Sequence, residues 1–245
     1  MKPSFMPPDA LENSPRSTLL GYPGEGGAPY LDEMRRMGVD GVALFGDSEI
    51  NGQRVLGKGH TGVVVLVRAR GMTAALKMRR TDSPRPDMDG EAVLLAAANH
   101  IGVGPRLLGH TPNLLLMEYI DGTPLREWLA ARPPARSAKG AIRRILEQCY
   151  RLDRMGLDHG ELTDMSRHAL VGARTAIIDF ESASLSRRPA NVTSAAQCLY
   201  LGGLSAHTRG ICPAPAPDMI IDALRAYKSR PGHGSFCSLL DMLGV

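Results

Sequence analysis

Apolar and polar positions alternate most regularly between residues 53 and 80, where the chain reads QRVLGKGHTGVVVLVRARGMTAALKMRR. Residues 63–67 carry valine at every second position, a period of two that indicates a β-strand with two distinct faces. Glycines cluster before this strand, and Gly71 follows it where the chain can reverse. The pattern predicts a strand, a glycine loop, a second strand, a tight turn at Gly71 and a third strand.

The rest of the chain shows helical spacing more often than alternation. Prolines, glycines and hydroxyl side chains at the ends of apolar stretches predict helices at about residues 30–37, 87–99, 123–132, 137–156, 193–201 and 219–228, the last being the final helix. Short strands are predicted near 106–110, 114–119, 168–172 and 175–180, with a hairpin from Val42 through Asp47 to Ile50. Thr123 and Ser137 are expected to cap the helices that they begin.

Strands dominate the first half of the chain and helices the second, which predicts an α+β fold. We expect an N-terminal extension over residues 1–50, a strand-rich part over 51–121 and a helical part over 122–245. The extension is expected to combine an irregular arm with a short helix and hairpin that pack on the strand-rich part. A length of 245 residues suits one large domain or two close lobes.

Composition narrows the class of protein only modestly. The formal net charge of +4 is mild and is no signature of nucleic-acid binding by itself. The four cysteines lack the C-x-x-C spacing of zinc sites and are expected to be reduced packing residues. No uncharged run is long enough to cross a bilayer, and the N-terminus lacks the apolar stretch of a signal peptide, so a cytoplasmic location is expected.

Residues 57–64, GKGHTGVV, fit the pattern G-x-G-x-x-G-x-V. In a dinucleotide-binding fold the third glycine opens a helix, but here it opens a strand, which disfavours a Rossmann dehydrogenase. The segment is not a P-loop either, because no Gly-Lys-Ser/Thr follows it. A glycine hairpin can bring backbone N–H groups close to phosphates, since no Cβ stands in the way.

Lys77 ends the third predicted strand, one hairpin strand after the glycine loop. A cation on a rigid sheet at this place suits the α- and β-phosphates of a nucleotide. Such a lysine needs a carboxylate partner. Glu91 on the following predicted helix is the candidate, because Asp87 and Asp89 lie where caps are expected.

Two further motifs follow in order, His159-Gly160-Glu161-Leu162 and Asp179-Phe180-Glu181. Together with the glycine loop and Lys77 they cover residues 53–185, and the ordered set resembles the small atypical serine/threonine protein kinases of the RIO type and their archaeal relatives. The resemblance implies a bilobal protein-kinase-like fold with a β-rich N-lobe and a trimmed α-helical C-lobe. The glycine loop, Lys77 and Asp179 are then expected to converge on one cleft.

The resemblance also implies a nucleotide site. Leu114–Ile120 is an apolar strand ending at a short polar link, similar to the hinge that binds adenine in kinases, with Met117 as the gatekeeper. The residues expected to bind ATP are Gly57, Lys58, Gly59, His60, Thr61, Gly62, Val64, Ala75, Lys77, Glu91, Met117, Glu118, Tyr119 and Ile120.

The catalytic residues implied by the resemblance are Lys77, Glu161 and Asp179. Glu161 stands where the family has the Asp that accepts or orients the proton of the attacking hydroxyl, on an arm one methylene longer. A longer arm displaces the carboxylate by about 1 Å, which can cost about a hundredfold in rate. Asp158 and Asp164 are nearby alternatives for this role.

Metal binding is the second chemistry that the resemblance implies, with Mg²⁺ or Mn²⁺ on Asp179. The family's second ligand is an Asn five residues beyond the catalytic Asp, and Ser166 occupies that position here. His168 is the other candidate if the loop carries an insertion. Neither is a good ligand for a hard cation, so one strong metal site is expected rather than two.

Three functions are compatible with these residues. The leading hypothesis is an ATP-dependent serine/threonine protein kinase that transfers the γ-phosphate of ATP to a protein hydroxyl. Glu161 and the missing Asn leave open an ATP-binding pseudokinase that acts as an interaction module without turnover. Because only a short stretch follows Glu181, with no Ala-Pro-Glu, a small-molecule kinase is the third. Expected partners are ATP and a protein substrate, with no membrane; association with nucleic acid or a ribonucleoprotein is left open, although no residue pattern supports it.

Overall fold

The structure is a computed structural model that describes residues 3–12, 19–24, 27–213 and 215–245. The fold is mixed α+β, as predicted, with a β-sheet-rich region and helices. The chain divides into two units. Unit 1 contains Met1–Ala96 and Pro105–Tyr119, and unit 2 contains Ala97–Gly104 and Ile120–Val245.

Unit 1 is organised around a six-stranded antiparallel sheet. The strands of the unit are β1 (Val39–Ala43), β2 (Ser48–Ile50), β3 (Gln53–Val55), β4 (Gly57–Lys58), β5 (Gly62–Ala69), β6 (Met72–Arg79), β7 (Leu107–His110) and β8 (Leu114–Glu118). The sheet order is β1-β5-β6-β8-β7, with β4 also beside β5, while β2 and β3 form a separate pair. The first predicted strand corresponds to β3, which pairs with β2; the predicted glycine loop begins at β4, and the last two predicted strands are β5 and β6.

Two helices and a short 3-10 turn complete unit 1. The 3-10 turn covers Pro8–Leu11, α1 covers Ala28–Met37, and α2 covers Asp89–His100, whose residues from 97 onward belong to unit 2. Residues 1–50, predicted as an extension, belong to unit 1 together with the sheet. Their apolar side chains share one core with β5, β6 and β8; Leu11, Leu19, Leu20, Leu31, Met34 and Val42 are buried there.

The predicted hairpin from Val42 through Asp47 to Ile50 is wrong. Strand β1 instead pairs with the C-terminal half of β5. The hairpin that does form joins β2 to β3 around Asn51-Gly52. Asn-Gly is typical of two-residue hairpin turns, so the local signal lay a few residues later in the chain. The apolar side chains of β1 are buried by this long-range pairing, which a local pattern does not reveal.

Unit 2 contains a three-stranded antiparallel sheet and most of the helices. Its strands are β9 (Gly122–Pro124), β10 (Ala169–Gly172) and β11 (Thr175–Ile177), in the order β11-β10-β9. Its helices are α3 (Leu125–Ala130), α4 (Ala135–Met155), α5 (Met165–His168), α6 (Asn191–Tyr200), α7 (Ser205–Arg209), α8 (Pro217–Ser229) and α9 (His233–Leu243), with a 3-10 turn at Leu162–Asp164. The buried face of α4 includes Ile142, Ile145, Leu146, Cys149 and Leu152, which recur at helical spacing.

Three predictions about the helices of unit 2 are wrong. Thr123 caps no helix; it pairs with Val171 in the sheet, and extended Pro124 is the N-cap of α3. Ser137 lies inside α4, which begins at Ala135 directly after Pro134. The helix near 219–228 is followed by another, α9, whose buried residues Phe236, Leu239, Leu240 and Leu243 have helical spacing.

Asp153 connects three helices of unit 2. Its Oδ1 accepts hydrogen bonds from the backbone N–H and the side-chain amide of Asn191, at 2.9 and 2.8 Å. Its Oδ2 accepts from the N–H of Val192 at 3.2 Å and from the hydroxyl of Tyr227 at 2.9 Å. Burial raises the pKa of Asp153 above its ordinary value, and these donors oppose that effect. The carboxylate thus fixes the start of α6 and the last turn of α8 against α4.

Within the described residues, no helix combines the length and the apolar character needed to cross a bilayer. All four cysteines are free thiols, and Cys149, Cys198 and Cys212 are buried, consistent with their predicted role as packing residues.

Candidate functional site

The glycine loop is a tight turn between β4 and β5. The N–H of Gly59 donates to the carbonyl of Gly62 at 2.8 Å, which closes the turn. His60 at the tip is exposed. Thr61 is buried, and its carbonyl accepts from the N–H of Arg80 at 2.8 Å. The loop is therefore tied to the end of β6 through its backbone.

Lys77 and the glycine loop share one row of the sheet. Lys77 lies opposite Val64, which lies opposite Gly57, so two strand spacings of about 5 Å separate the loop from the lysine. The lysine side chain passes directly over Gly62. A Cβ on Gly62 would lie 2.9 Å from Cγ of Lys77 and 2.9 Å from the carbonyl oxygen of Met78. Position 62 therefore requires glycine so that the lysine can pass.

The amine of Lys77 is held by Glu91, the partner proposed from the sequence. Lys77 Nζ lies 2.9 Å from both carboxylate oxygens of Glu91, and only 4% of each side chain is exposed. A buried ion pair with two hydrogen bonds has a fixed geometry, because either charge alone in that environment is costly. The pair presents a positioned cation beside the glycine loop.

The segment predicted to contact adenine continues from β8. Met117 lies opposite Ala75 of β6. The N–H of Glu118 donates to the carbonyl of Arg106 at 2.8 Å, and the carboxylate of Glu118 accepts from the N–H of Arg106 at 3.1 Å. Ala75 and Ile120 are buried, whereas Met117, Glu118, Tyr119 and Val64 are half-buried.

Tyr22 is a residue at the glycine loop that sequence reasoning missed. Lys58 Nζ donates to its hydroxyl at 2.9 Å, and the amine lies 4.9 Å from the centre of its ring. The guanidinium of Arg80 lies 5.1 Å from the same ring and donates to the carbonyl of Gly59 at 3.1 Å. The 19–24 segment is anchored beside it, because the hydroxyl of Thr81 donates to the carbonyl of Gly21 at 2.9 Å. No local sequence pattern marks a contact between residues so far apart in the chain.

Replacing Tyr22 with leucine is expected to raise amide hydrogen exchange in residues 57–62 by about tenfold, because two cation–π contacts of about 0.5–1 kcal/mol each are lost. Tyr22→Phe keeps both ring contacts and loses only the hydroxyl, so its effect is expected to be smaller. Exchange measured by mass spectrometry without nucleotide tests this. Equal exchange in wild type and Tyr22→Leu would show that Tyr22 does not hold the loop.

Three of the predicted catalytic and metal residues of unit 2 meet in one cluster. Glu161, His168 and Asp179 each offer a ligand atom, and these atoms all lie within 4.8 Å of one another. Nε2 of His168 lies 3.5 Å from Oε2 of Glu161. The other oxygen of Glu161, Oε1, accepts from the hydroxyl of Ser182 at 3.0 Å. Two carboxylates and one imidazole are thus placed where they could hold a divalent cation.

The backbone around the cluster is tightly constrained. Asp179 has a φ of 69°, a left-handed conformation that few residues other than glycine, Asn and Asp adopt. The N–H of Ile178 donates to the carbonyl of His168 at 3.0 Å, so the two ligand-bearing segments are joined. A Cβ on Gly160 would lie 2.6 Å from the carbonyl oxygen of Ser182. Glycine therefore allows the Glu161 loop to approach the segment that follows Phe180.

The ring of His159 packs against His168 of the cluster and carries no charge at neutral pH. Burial lowers the pKa of His159 to about 4, with the neighbouring His168 ring as the next cause. Its Nε2 lies 3.1 Å from the carbonyl oxygen of Ile178, so the neutral ring must carry its proton on Nε2. The buried Nδ1, for which the described residues offer no hydrogen-bond partner, is then an acceptor rather than an N–H. The ring packs 5.0 Å from Phe180 and 5.5 Å from His168.

The other candidates from the sequence have partners outside this cluster. The hydroxyl of Ser166 donates to the carboxylate of Asp164, one of the two alternatives to Glu161 as the base. The carboxylate of Asp158, the other alternative, accepts a hydrogen bond from Nε of Arg187 at 2.8 Å. Glu181 is buried. Of the described side chains predicted to bind metal, His168 lies with Asp179, whereas Ser166 is engaged by Asp164.

A scan against models of known protein families finds no match for this chain, and a search of curated proteins finds no significant match either. The functional interpretation therefore depends on the residues and geometry of the chain itself.

Proposed function

We propose that this protein is an ATP-dependent phosphotransferase of the small atypical kinase type. In this proposal unit 1 serves as the β-rich N-lobe and unit 2 as a trimmed helical C-lobe of a bilobal kinase-like fold. The observation that carries the proposal is the buried Lys77–Glu91 pair, whose lysine passes over Gly62 of a glycine hairpin. A cation held rigidly beside backbone N–H groups is suited to the phosphates of a nucleotide.

Each group has a separate role in the proposed reaction. The ammonium of Lys77 would bind oxygens of the α- and β-phosphates, and the loop around Gly59 would cover them with backbone N–H groups. Glu161 would orient the hydroxyl that attacks the γ-phosphate and accept its proton. Asp179 would hold a divalent metal ion, which supplies neutralisation of the charge that develops on the transferred phosphoryl group. Catalysis would therefore consist mainly of placement and electrostatics.

The residues present fit a divalent cation, but the donor set is not the one that suits Mg²⁺ best. The carboxylates of Asp179 and Glu161 are the oxygen ligands that Mg²⁺ prefers. The imidazole of His168 is a nitrogen donor, which suits transition metals better. Assays of the proposed activity should therefore supply Mn²⁺ as well as Mg²⁺.

Replacing Asp179 with asparagine is expected to lower ATP turnover by about a hundredfold or more, the scale seen when one charge-stabilising group is removed from an active site. Asparagine has the same shape and tolerates the left-handed backbone at this position, so the fold should persist. Release of ADP and transfer of labelled γ-phosphate to casein measure the effect. Asp222→Asn, an equal charge change at an exposed position of α8, is the matched control.

Wild type, Asp179→Asn and Asp222→Asn with equal turnover would reject the proposal. Adding small alcohols and aminoglycosides as acceptors separates the protein kinase from the small-molecule kinase, because only the latter phosphorylates them. Transfer to casein without transfer to small acceptors would support the protein kinase.

A second candidate, nucleotide binding without turnover, is favoured by the position of Glu161. One of its carboxylate oxygens accepts from Ser182 and the other lies beside His168, so both are engaged. A carboxylate held in this way is poorly placed to collect a proton from a substrate hydroxyl. Thermal unfolding with ATP and a divalent metal distinguishes the candidates: a rise in midpoint without ADP release supports this function, and measurable ADP release contradicts it.

A further inference from the structure

The cluster in unit 2 presents an unusual set of donors. Glu161 and Asp179 contribute carboxylate oxygens, and His168 contributes an imidazole nitrogen. Sites that bind Mg²⁺ consist of oxygen ligands, usually carboxylates, phosphates and water. Imidazole together with carboxylate is instead typical of first-row transition metals, including zinc sites with three protein ligands and one open position.

The spacing of the donors is compatible with one shared ion. Zn²⁺ lies about 2.1 Å from nitrogen and oxygen ligands, so donor atoms around one such ion are separated by about 3–4 Å. The three donor atoms here all lie within 4.8 Å of one another, and His168 is already 3.5 Å from Glu161.

The donors are also held in place before any ion binds. Only 12% of the His168 side chain is exposed. The backbone carbonyl of His168 accepts a hydrogen bond from the N–H of Ile178, the residue before Asp179. Glu161 is oriented by the hydroxyl of Ser182. Two carboxylates close together repel each other, and a cation bound between them relieves that repulsion.

We propose that Glu161, His168 and Asp179 form a binding site for one divalent first-row transition-metal ion, and that His168 makes the site prefer such ions over Mg²⁺. This deepens the proposed function by naming the class of its metal and rests on it to that extent, but the site lies within unit 2 and can be tested without nucleotide. Because a metal-bound Glu161 could not also accept a substrate proton, this site replaces the role of Glu161 as the base and favours the second candidate, nucleotide binding without turnover.

Titration of the metal-free protein with Co²⁺ or Mg²⁺, followed by calorimetry and by the visible absorption of Co²⁺, tests the proposal. Wild type is expected to bind one Co²⁺ at this site. His168→Asn, which replaces the nitrogen donor with an amide oxygen, is expected to lower Co²⁺ affinity at least tenfold and to leave Mg²⁺ affinity unchanged or higher. Asp179→Asn is expected to lower the affinity for both ions.

Two matched variants locate the ion. His100→Asn changes an exposed histidine and should have no effect. His233→Asn removes one donor of a second soft donor pair, because the His233 ring lies 3.5 Å from the sulfur of Cys237. Unchanged Co²⁺ affinity in a folded His168→Asn protein, or loss of Co²⁺ only in His233→Asn, would overturn the proposal. Either result leaves the proposed phosphotransferase to be judged by ATP turnover in Mg²⁺.

Discussion

Replacing Lys77 with methionine is expected to lower the free energy of unfolding by about 3–5 kcal/mol, because it leaves the carboxylate of Glu91 buried without its ammonium partner. Methionine matches the length and volume of the lysine stem, so packing over Gly62 is largely kept. The cost therefore comes from the lost ion pair and not from a cavity. Urea unfolding monitored by circular dichroism measures it.

The double variant Lys77→Met/Glu91→Leu is the decisive control. It replaces both buried charges with apolar groups of similar volume, a change that is often neutral or stabilising. We expect it to recover most of the stability lost in Lys77→Met. Lys228→Met, which removes an exposed lysine, should change stability by less than about 0.5 kcal/mol. A small loss in Lys77→Met, or a double variant that is no more stable, would contradict the buried pair.

The same pair of variants separates structure from function. If the double variant folds normally but neither binds nor turns over ATP, the charge of Lys77 serves nucleotide binding rather than folding. The Lys77–Glu91 pair would then be present for its function and not for stability, because the apolar replacement is equally stable but only the charged lysine can bind a phosphate.

Replacing Asp153 with alanine is expected to destabilise the protein by about 3 kcal/mol, from the loss of an N-terminal acceptor at α6 and of a charge-assisted hydrogen bond to Tyr227. The substitution leaves the side-chain amide of Asn191 and the hydroxyl of Tyr227 without this acceptor in a part-buried region. Chemical unfolding measures the loss. Because Asp153 joins α4, α6 and α8, the effect should appear in global unfolding rather than in local fraying.

Two further variants identify the source of the loss. Tyr227→Phe removes one hydrogen bond and is expected to cost about 1 kcal/mol. Asp153→Asn keeps the size of the side chain but turns an NH₂ group toward donors, so it is expected to be nearly as destabilising as alanine. Asp222→Ala, on the exposed face of α8, should be nearly neutral. An Asp153→Ala protein as stable as wild type would show that these hydrogen bonds contribute nothing net.

The candidate site illustrates how far local patterns extend. The spacing of the glycine loop, Lys77 and Glu91 in the sequence was enough to propose the pair that the structure places at 2.9 Å. The grouping of Glu161 with His168 and Asp179 was only partly foreseen, because His168 was one of two alternatives and Glu161 was expected to act as a base. Tyr22 was missed entirely, since its contacts with Lys58 and Arg80 join distant segments of the chain.

The amino-acid sequence by itself determined the order of β3, the glycine loop, β5 and β6, the presence of a helix at α4 and the mixed α+β class, because alternation and helical spacing are properties of neighbouring residues. Only the tertiary structure decided that β1 pairs with β5 and that position 62 must lack a side chain where Lys77 passes over it. It also decided that the possible metal ligands Glu161, His168 and Asp179 lie within 4.8 Å of one another. These features depend on contacts between residues far apart in the chain. Their formation is governed by burial and pairing across the whole unit, which no local pattern encodes.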